Sequence, residues 1–425
     1  MSAKVLLFSR TMTDTLRYVP NASVVTTDAT LLSSGSRQES PLPVPASVQR
    51  TTVLPRIQWN GDRPDVVPFQ RERFEELHQL GQGGMGEVML LKDHDIERTV
   101  TLKRLPENSD LDRVLRFVEE IRTVGQLDHP NIVPVHDVGI DQLGRYYFVM
   151  KHLQGDTLES IIARLRQGDR ETHARFSFPI RVQLFLGVLN ALAYAHRKGF
   201  IHRDLKPANI MVGPFGEVTV MDWGLARRVR QPGDATATPQ TTDAAPTGLR
   251  EAASMQTQLG AVVGTPFYMS PEQARGQHDA LDARSDTYSL CVLFHEFLYL
   301  GHYLEGQQSL AEVLEGVQNK KPNVFALESN PHQSPVPSEL AWFIHKGMEK
   351  EPARRHQSIE EMVGALQGVM DGRIAVQCQR TLVKRGLHEL LHKVDQHPVA
   401  VIAGSTAAAA VVLGALGHLL MVLFS

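Results

Sequence analysis

Apolar and polar positions divide the chain into stretches of different texture. Between residues 74 and 371, short β-branched and apolar runs at 88–91, 99–103 and 146–150 come first, and longer segments rich in Leu, Ala and Val follow. That order predicts a small strand-rich lobe and then a larger helical lobe, an α+β architecture over 73–371. Residues 1–72 are rich in Ser, Thr, Pro and Val without a sustained period. They offer no face able to bury enough surface to offset chain ordering, and the expectation is a disordered tail. Residues 230–258, rich in Ala, Thr, Pro and Gln, interrupt the structured region and read as a mobile insertion. From 399 to 424 no charged residue occurs over 26 positions. At 1.5 Å per residue this exceeds the roughly 30 Å of bilayer hydrocarbon and predicts one C-terminal transmembrane helix.

Charge changes the picture at the membrane. The stretch 372–398 carries Arg373, Arg380, Lys384, Arg385 and Lys393 against Glu389 and Asp395, and is read as a basic juxtamembrane segment. The positive-inside bias then places the large N-terminal portion in the cytoplasm of a single-pass cell-membrane protein. The opening residues hold an apolar run only at 5–8, too short for a secretory signal. Over the whole chain, 47 acidic and 44 basic side chains leave a net charge of -3. That balance gives no footprint for nucleic acid. Two cysteines, Cys291 and Cys378, lie far apart and exclude a disulfide scaffold.

Candidate chemistry begins at Gly81-Gln82-Gly83-Gly84-Met85-Gly86-Glu87-Val88, a G-x-G-x-x-G-x-V pattern between strand-like segments. Glycines there let backbone N–H groups approach phosphate oxygens where a Cβ would clash. A dinucleotide loop needs a helix directly after the glycines, and residues 88–91 read as strand. Lys103 follows on a second strand. Further on stand Ile201-His202-Arg203-Asp204-Leu205-Lys206-Pro207-Ala208-Asn209 and Val220-Met221-Asp222-Trp223-Gly224.

This ordered set resembles the protein-kinase signature, and through Lys206-Pro207 the serine/threonine branch of the eukaryotic-type family also found in bacteria, over about residues 74–371. The resemblance implies a bilobal fold: a small antiparallel β-rich N-lobe with one helix, and a larger helical C-lobe. It also implies ATP and Mg2+, with Mn2+ an alternative, and transfer of the γ-phosphate to Ser or Thr hydroxyls of proteins. Gly81, Gln82, Gly83, Gly84, Met85 and Gly86 would cover the phosphates. Lys103 would hold the α- and β-phosphates, positioned by Glu120, with Glu119 the rival. Asp204 would orient the acceptor hydroxyl, Lys206 would be a second cation on the transferred group, and Asn209 and Asp222 would be the metal ligands. Val88 and Met211 would sandwich the adenine, with Met150 behind it. In Gly264-Thr265-Pro266-Phe267-Tyr268-Met269-Ser270-Pro271-Glu272, Thr265 would bond Asp204 and Lys206, and Glu272 would pair with Arg355. Asp286 matches the family's buried helix Asp that anchors the catalytic loop.

Departures from the pattern are Trp223 for the usual Phe, Ser270 for Ala, Thr101 for Ala, and Lys151 for a commonly acidic residue. None removes a phosphate or metal ligand, although Thr101 is expected to put a hydroxyl against adenine. The opposing reading is a membrane-tethered pseudokinase that binds nucleotide or partners without transfer. Arg203 is suited to a bidentate pair with a phosphate, and Thr257 is the first choice of acceptor in the segment between Asp222 and Glu272. Self-association for trans-autophosphorylation fits a membrane anchor, which raises effective concentration. One competing motif is His388-Glu389-Leu390-Leu391-His392, a literal H-E-x-x-H. It would make a zinc metalloprotease only with a third ligand and a cleft, and the sequence shows neither.

Overall fold

The computed structural model describes residues 50–83, 86–229, 265–324, 330–373 and 375–396, with scattered positions between 406 and 421. Strands β1 (Arg56–Asn60) and β2 (Arg63–Val67) form an antiparallel hairpin. Its turn needs Gly61, whose φ is +63°. The small lobe follows as β3 (Phe74–Gly83), β4 (Gly86–Asp93), β5 (Arg98–Arg104), helix α1 (Leu111–Gly125), β6 (Val135–Ile140) and β7 (Tyr146–Lys151). The five strands β3 to β7 pair antiparallel in the order β3-β4-β5-β7-β6. Helix α1 starts where the Asp110 side chain accepts the N–H of Arg113. It then turns Phe117 onto Leu105 and Phe148, with the Phe117 and Phe148 rings 5.4 Å apart. That packing sets the height of Glu120, one turn further along.

The large lobe runs through β8 (Asp156–Thr157), α2 (Leu158–Arg166), α3 (Arg170–Arg175), α4 (Phe178–Arg197), β9 (Phe200–Ile201), β10 (Ile210–Val212), β11 (Val218–Val220) and β12 (Arg227–Arg228). After the 230–264 stretch, which lies outside the described residues, come α5 (Pro271–Ala274), α6 (Ala283–Tyr299), α7 (Leu310–Asn319), α8 (Ser338–Gly347), α9 (Ile359–Met370) and α10 (Gln379–Gln396). Helix α4 is long and apolar enough to cross a membrane. It is instead the lobe's central helix, with Val182, Phe185, Val188, Leu189 and Leu192 buried. A helix that is apolar on most of its surface belongs inside a fold, and here Phe185 stacks on Phe294 of α6 at 4.0 Å. Glu272 and Arg355 are both buried and meet in two 2.8 Å bonds, one from each terminal guanidinium nitrogen. Ser285 adds a third bond to the carboxylate at 2.7 Å. Ser270, standing for Ala, caps α5 through the N–H of Gln273.

Part of the stretch expected as a disordered tail, residues 50–72, carries the β1–β2 hairpin. Residues 50–72 are ordered, and they hold to the small lobe by polar contacts. The Arg50 guanidinium pairs with Asp137 and donates to the Val138 carbonyl at 2.7 Å. Thr52, 6 % exposed, joins Arg71 and Phe69, and the N–H groups of Val53 and Leu54 share the Asp95 carboxylate at 2.8 and 3.0 Å. Hydrophobic periodicity missed this strap because hydrogen bonds and an ion pair hold it. The expectations for residues 1–49 and 230–258, and most of 399–424, fall outside the described residues.

Two outcomes follow from these contacts. A chain starting at residue 73 should melt about 5 °C below one starting at residue 50, since each lost bond removes about 1 kcal/mol and each such loss shifts the midpoint by about 2–4 °C. Equal midpoints in circular dichroism would show the strap to be ornamental. Arg355→Ala should cost about 3–5 kcal/mol in urea unfolding, because it strands the Glu272 carboxylate in the core.

Candidate active site

The segment between β9 and β10 is built around one buried carboxylate. Asp286, on the first turn of α6 and 1 % exposed, accepts the backbone N–H of His202 at 2.8 Å and of Arg203 at 2.9 Å. His196 adds a 2.8 Å bond through Nε2. Burial pushes this carboxyl up, but His196, His202 and the backbone donors hold it below the usual carboxylate range. The loop is thereby kept in a conformation that Arg203 enters at φ +69°, a region most side chains avoid. Gln273 donates to the Arg203 carbonyl at 3.0 Å and braces the same turn, a contact no motif announces. The next residue, Asp204, is 6 % exposed. Its Oδ2 accepts Lys206 Nζ at 2.8 Å and Asn209 Nδ2 at 3.2 Å, and Asn209 also donates to its carbonyl at 2.9 Å. Asp204 Oδ1 is buried and has no hydrogen-bond partner.

Across from this loop, Lys103 on β5 meets Glu120 of α1 at 2.6 Å and lies 3.5 Å from Asp222 Oδ1. Glu119, the rival, is exposed. Burial works against the Lys103 ammonium, yet Glu120 and Asp222 together hold its pKa above the ordinary lysine value. For Asp222, burial raises and the Lys103, Lys206 and His202 charges lower, and the net direction is down. Asp222 has φ +57°, and its Oδ1 makes no hydrogen bond. Trp223, 1 % exposed, packs on His202 with ring centroids 4.6 Å apart, so the bulkier ring is accommodated in the core.

Between the two groups, Val88, Met150 and Met211 remain half-buried apolar side chains, on β4, β7 and β10. Gly81, Gln82 and Gly83 end β3 exposed, and Gly86 begins β4. Gly86 has φ +134°, and a Cβ there would lie 2.2 Å from the Arg104 carbonyl oxygen. Gly84, Met85 and the side chain of Thr265 are outside the described residues. Thr101, expected to put a hydroxyl against adenine, has its Oγ1 3.2 Å from His152 Nδ1, so the hydroxyl is already paired within the protein. A separate cavity of about 330 Å³, lined by His196, Phe200, Asp282, Arg284 and Gln357 among others, includes none of the predicted site residues. His388, Glu389 and His392 sit on α10 with side chains outside the description, and among the described residues no three His, Cys, Asp or Glu cluster as a metal site.

With this geometry in place the comparison with known proteins is direct: residues 74–365 match the protein kinase domain. The chain belongs to the protein kinase family. It is 33 % identical over 315 residues to the serine/threonine-protein kinase PknD of Protochlamydia amoebophila, covering 72 % of this chain and 31 % of that protein. It is 35 % identical over 309 residues to the probable serine/threonine-protein kinase SCO3848 of Streptomyces coelicolor, covering 71 % and 40 %. PknB of Mycobacterium tuberculosis is 32 % identical over 308 residues, covering 71 % and 43 %. The chain thus spans less than half the length of these relatives, all bacterial serine/threonine kinases by name. In kinase terms, the five-stranded lobe is the N-lobe and the helical lobe the C-lobe, with the cleft residues at their junction.

The glycines of the kinase loop are unequal, and that is testable. Gly86→Ala should lower stability by about 1–3 kcal/mol through its backbone angle and the Arg104 carbonyl. Gly81→Ala, with nothing within 4 Å of its Cβ, should leave the thermal midpoint unchanged.

Proposed function

We propose that this chain is an active, non-specific serine/threonine protein kinase that transfers the γ-phosphoryl group of ATP to protein hydroxyls. The observation that carries the reading is the convergence of Lys103, Glu120 and Asp222 with Asp204, Lys206 and Asn209, where Asp204 Oδ1 is buried without a hydrogen-bond partner and Asp222 Oδ1 has only the 3.5 Å ion pair with Lys103. Unpaired buried carboxylate oxygens cost free energy, and the donor set suits a hard cation with oxygen ligands. Asp222 and Asn209 would hold Mg2+, or Mn2+ with the same oxygen donors. Bound Mg-ATP supplies the phosphoryl group and the countercharge for its oxygens.

The remaining work falls to the chain's own side chains. Lys103, locked by Glu120, would present its ammonium to the α- and β-phosphates. Asp204 Oδ1 faces no competing donor and is placed to orient and receive the proton of an acceptor hydroxyl, while Lys206, tied to Oδ2, carries positive charge beside it. Val88 and Met211 would clasp the adenine from the two lobes, with Met150 behind. Gly81 to Gly86 would bring backbone N–H groups over the phosphates, and Thr265 would bond Asp204 and Lys206.

Regulation and placement complete the proposal. Arg203 is half-buried with its Nε enclosed and without a hydrogen-bond partner, and desolvation together with the Arg227 charge holds its pKa below the usual value. A phosphate on Thr257 would supply the missing anion, and the enzyme would autophosphorylate in trans. Residues 399–424 would span the cell membrane with the kinase domain on the cytoplasmic side. In support, residues 409–415 are helical and exposed, with Val411, Val412 and Leu413 more than 60 % accessible. An apolar helix packed on the C-lobe would have buried them.

The test is incubation of the full chain in lipid vesicles with labelled ATP, Mg2+ and a general protein substrate, followed by mapping of phosphorylated residues. Transfer should fall at least about 100-fold in Asp204→Asn, and phosphate should appear on Thr257. Absence of transfer with both Mg2+ and Mn2+, while nucleotide still raises the melting midpoint, would replace the enzyme with the pseudokinase reading.

A further inference from the structure

Helix α10 is docked the wrong way round for a helix of a water-soluble domain. Among the described residues of α10, the side chains turned toward the C-lobe are polar. Thr381 is fully buried, and its Oγ1 accepts the N–H groups of Gln377 and Cys378 at 2.9 Å. Lys384, three residues on, reaches the Glu339 carboxylate of α8 at 3.0 and 3.1 Å. Val383, Leu387 and Leu391 recur every fourth residue and so share another face, flanked by Leu382. All four are between 53 % and 68 % exposed. A surface helix ordinarily turns such a stripe to the core and its charges to water.

What covers the stripe is indicated by the chain around it. The described part of α10 runs to Gln396, and in the sequence Pro398 stands two residues further and the uncharged stretch begins at 399. A proline disfavours helical backbone at the residue before it and so favours a change of direction at that point. A bilayer entered at 399 therefore lies within a turn of the end of α10. Besides Lys384, which is paired with Glu339, the segment carries Arg380, Arg385 and Lys393 against Glu389 and Asp395, a basic excess that anionic headgroups attract.

We propose that α10 lies flat in the headgroup region of an anionic bilayer, with Leu382, Val383, Leu387 and Leu391 among the upper acyl chains and its Thr381–Lys384 side holding the C-lobe. This rests on the reading that 399–424 spans the membrane, and it adds orientation. The kinase domain is clamped to the lipid surface through α8 and does not swing on a tether. An interfacial helix of this kind has an apolar face and a basic rim, which is what the segment presents.

The test uses the full chain carrying Cys378→Ser and a single new cysteine, Leu387→Cys or in a second protein Leu391→Cys, labelled with the polarity-sensitive fluorophore NBD. Each is reconstituted into phosphatidylcholine–phosphatidylglycerol vesicles at one copy per vesicle. The expected result is a blue-shifted emission at both positions, quenched more by lipids brominated near the headgroup than by lipids brominated at the chain ends. A shift seen only when several copies share a vesicle would mean that a second copy covers the stripe, and would overturn the proposal. Flotation with the vesicles but water-like emission at both positions would overturn it while leaving the membrane span intact. Failure to float would remove both.

Discussion

Everything in the cleft is referred to one carboxylate. Asp286 is buried in the C-lobe and receives two successive backbone N–H groups, so the chain can pass through the unfavourable angle at Arg203 and deliver Asp204 to a defined place. Hydrogen bonds to a charged group are worth about 1.5–3 kcal/mol each, comparable with the cost of the left-handed residue they restrain. The order of causes is therefore from α6 outward: helix packing fixes the carboxylate, the carboxylate fixes the turn, and the turn fixes Asp204, Lys206 and Asn209.

The N-lobe half of the site has a different dependence. Lys103 belongs to a strand, Glu120 to a helix and Asp222 to the C-lobe, and their contact exists only while all three elements keep their spacing. Asn131 helps to maintain it by bonding β11 through both side chain and backbone, with Nδ2 2.7 Å from the Val218 carbonyl and its own carbonyl 2.8 Å from the Val220 N–H. The segment leading into the N-lobe strand β6 is thus stitched to β11 of the C-lobe. The polar strap of residues 50–72 extends the same logic to the far side of the N-lobe, where Arg50 and Asp95 tie chain that is remote in sequence.

Legibility in the sequence followed the kind of force involved. The two-lobed architecture was readable because burial imposes periods, and the cleft residues because a phosphate-handling site restricts residue type and spacing. Glu120 over Glu119 was readable through the family pattern, and the geometry agrees, with Phe117 turned inward and Glu119 outward. The strap was not readable, since Arg50, Thr52, Val53 and Leu54 are held by polar contacts that leave no period. Nor were Thr101 with His152, or Gln273 with the Arg203 carbonyl. Each joins positions 51 and 70 residues apart, and only the folded chain brings them together.

The bond between Thr101 and His152 also bears on inhibitor selectivity. A ligand designed for kinases with alanine at that strand position meets, in this cleft, a hydroxyl already engaged by the linker's imidazole. To gain a polar contact with Thr101 it must displace that partner, and to ignore it must tolerate a slightly narrower wall. An acceptor inserted between hydroxyl and ring would meet here a recognition element that an alanine at this position does not offer.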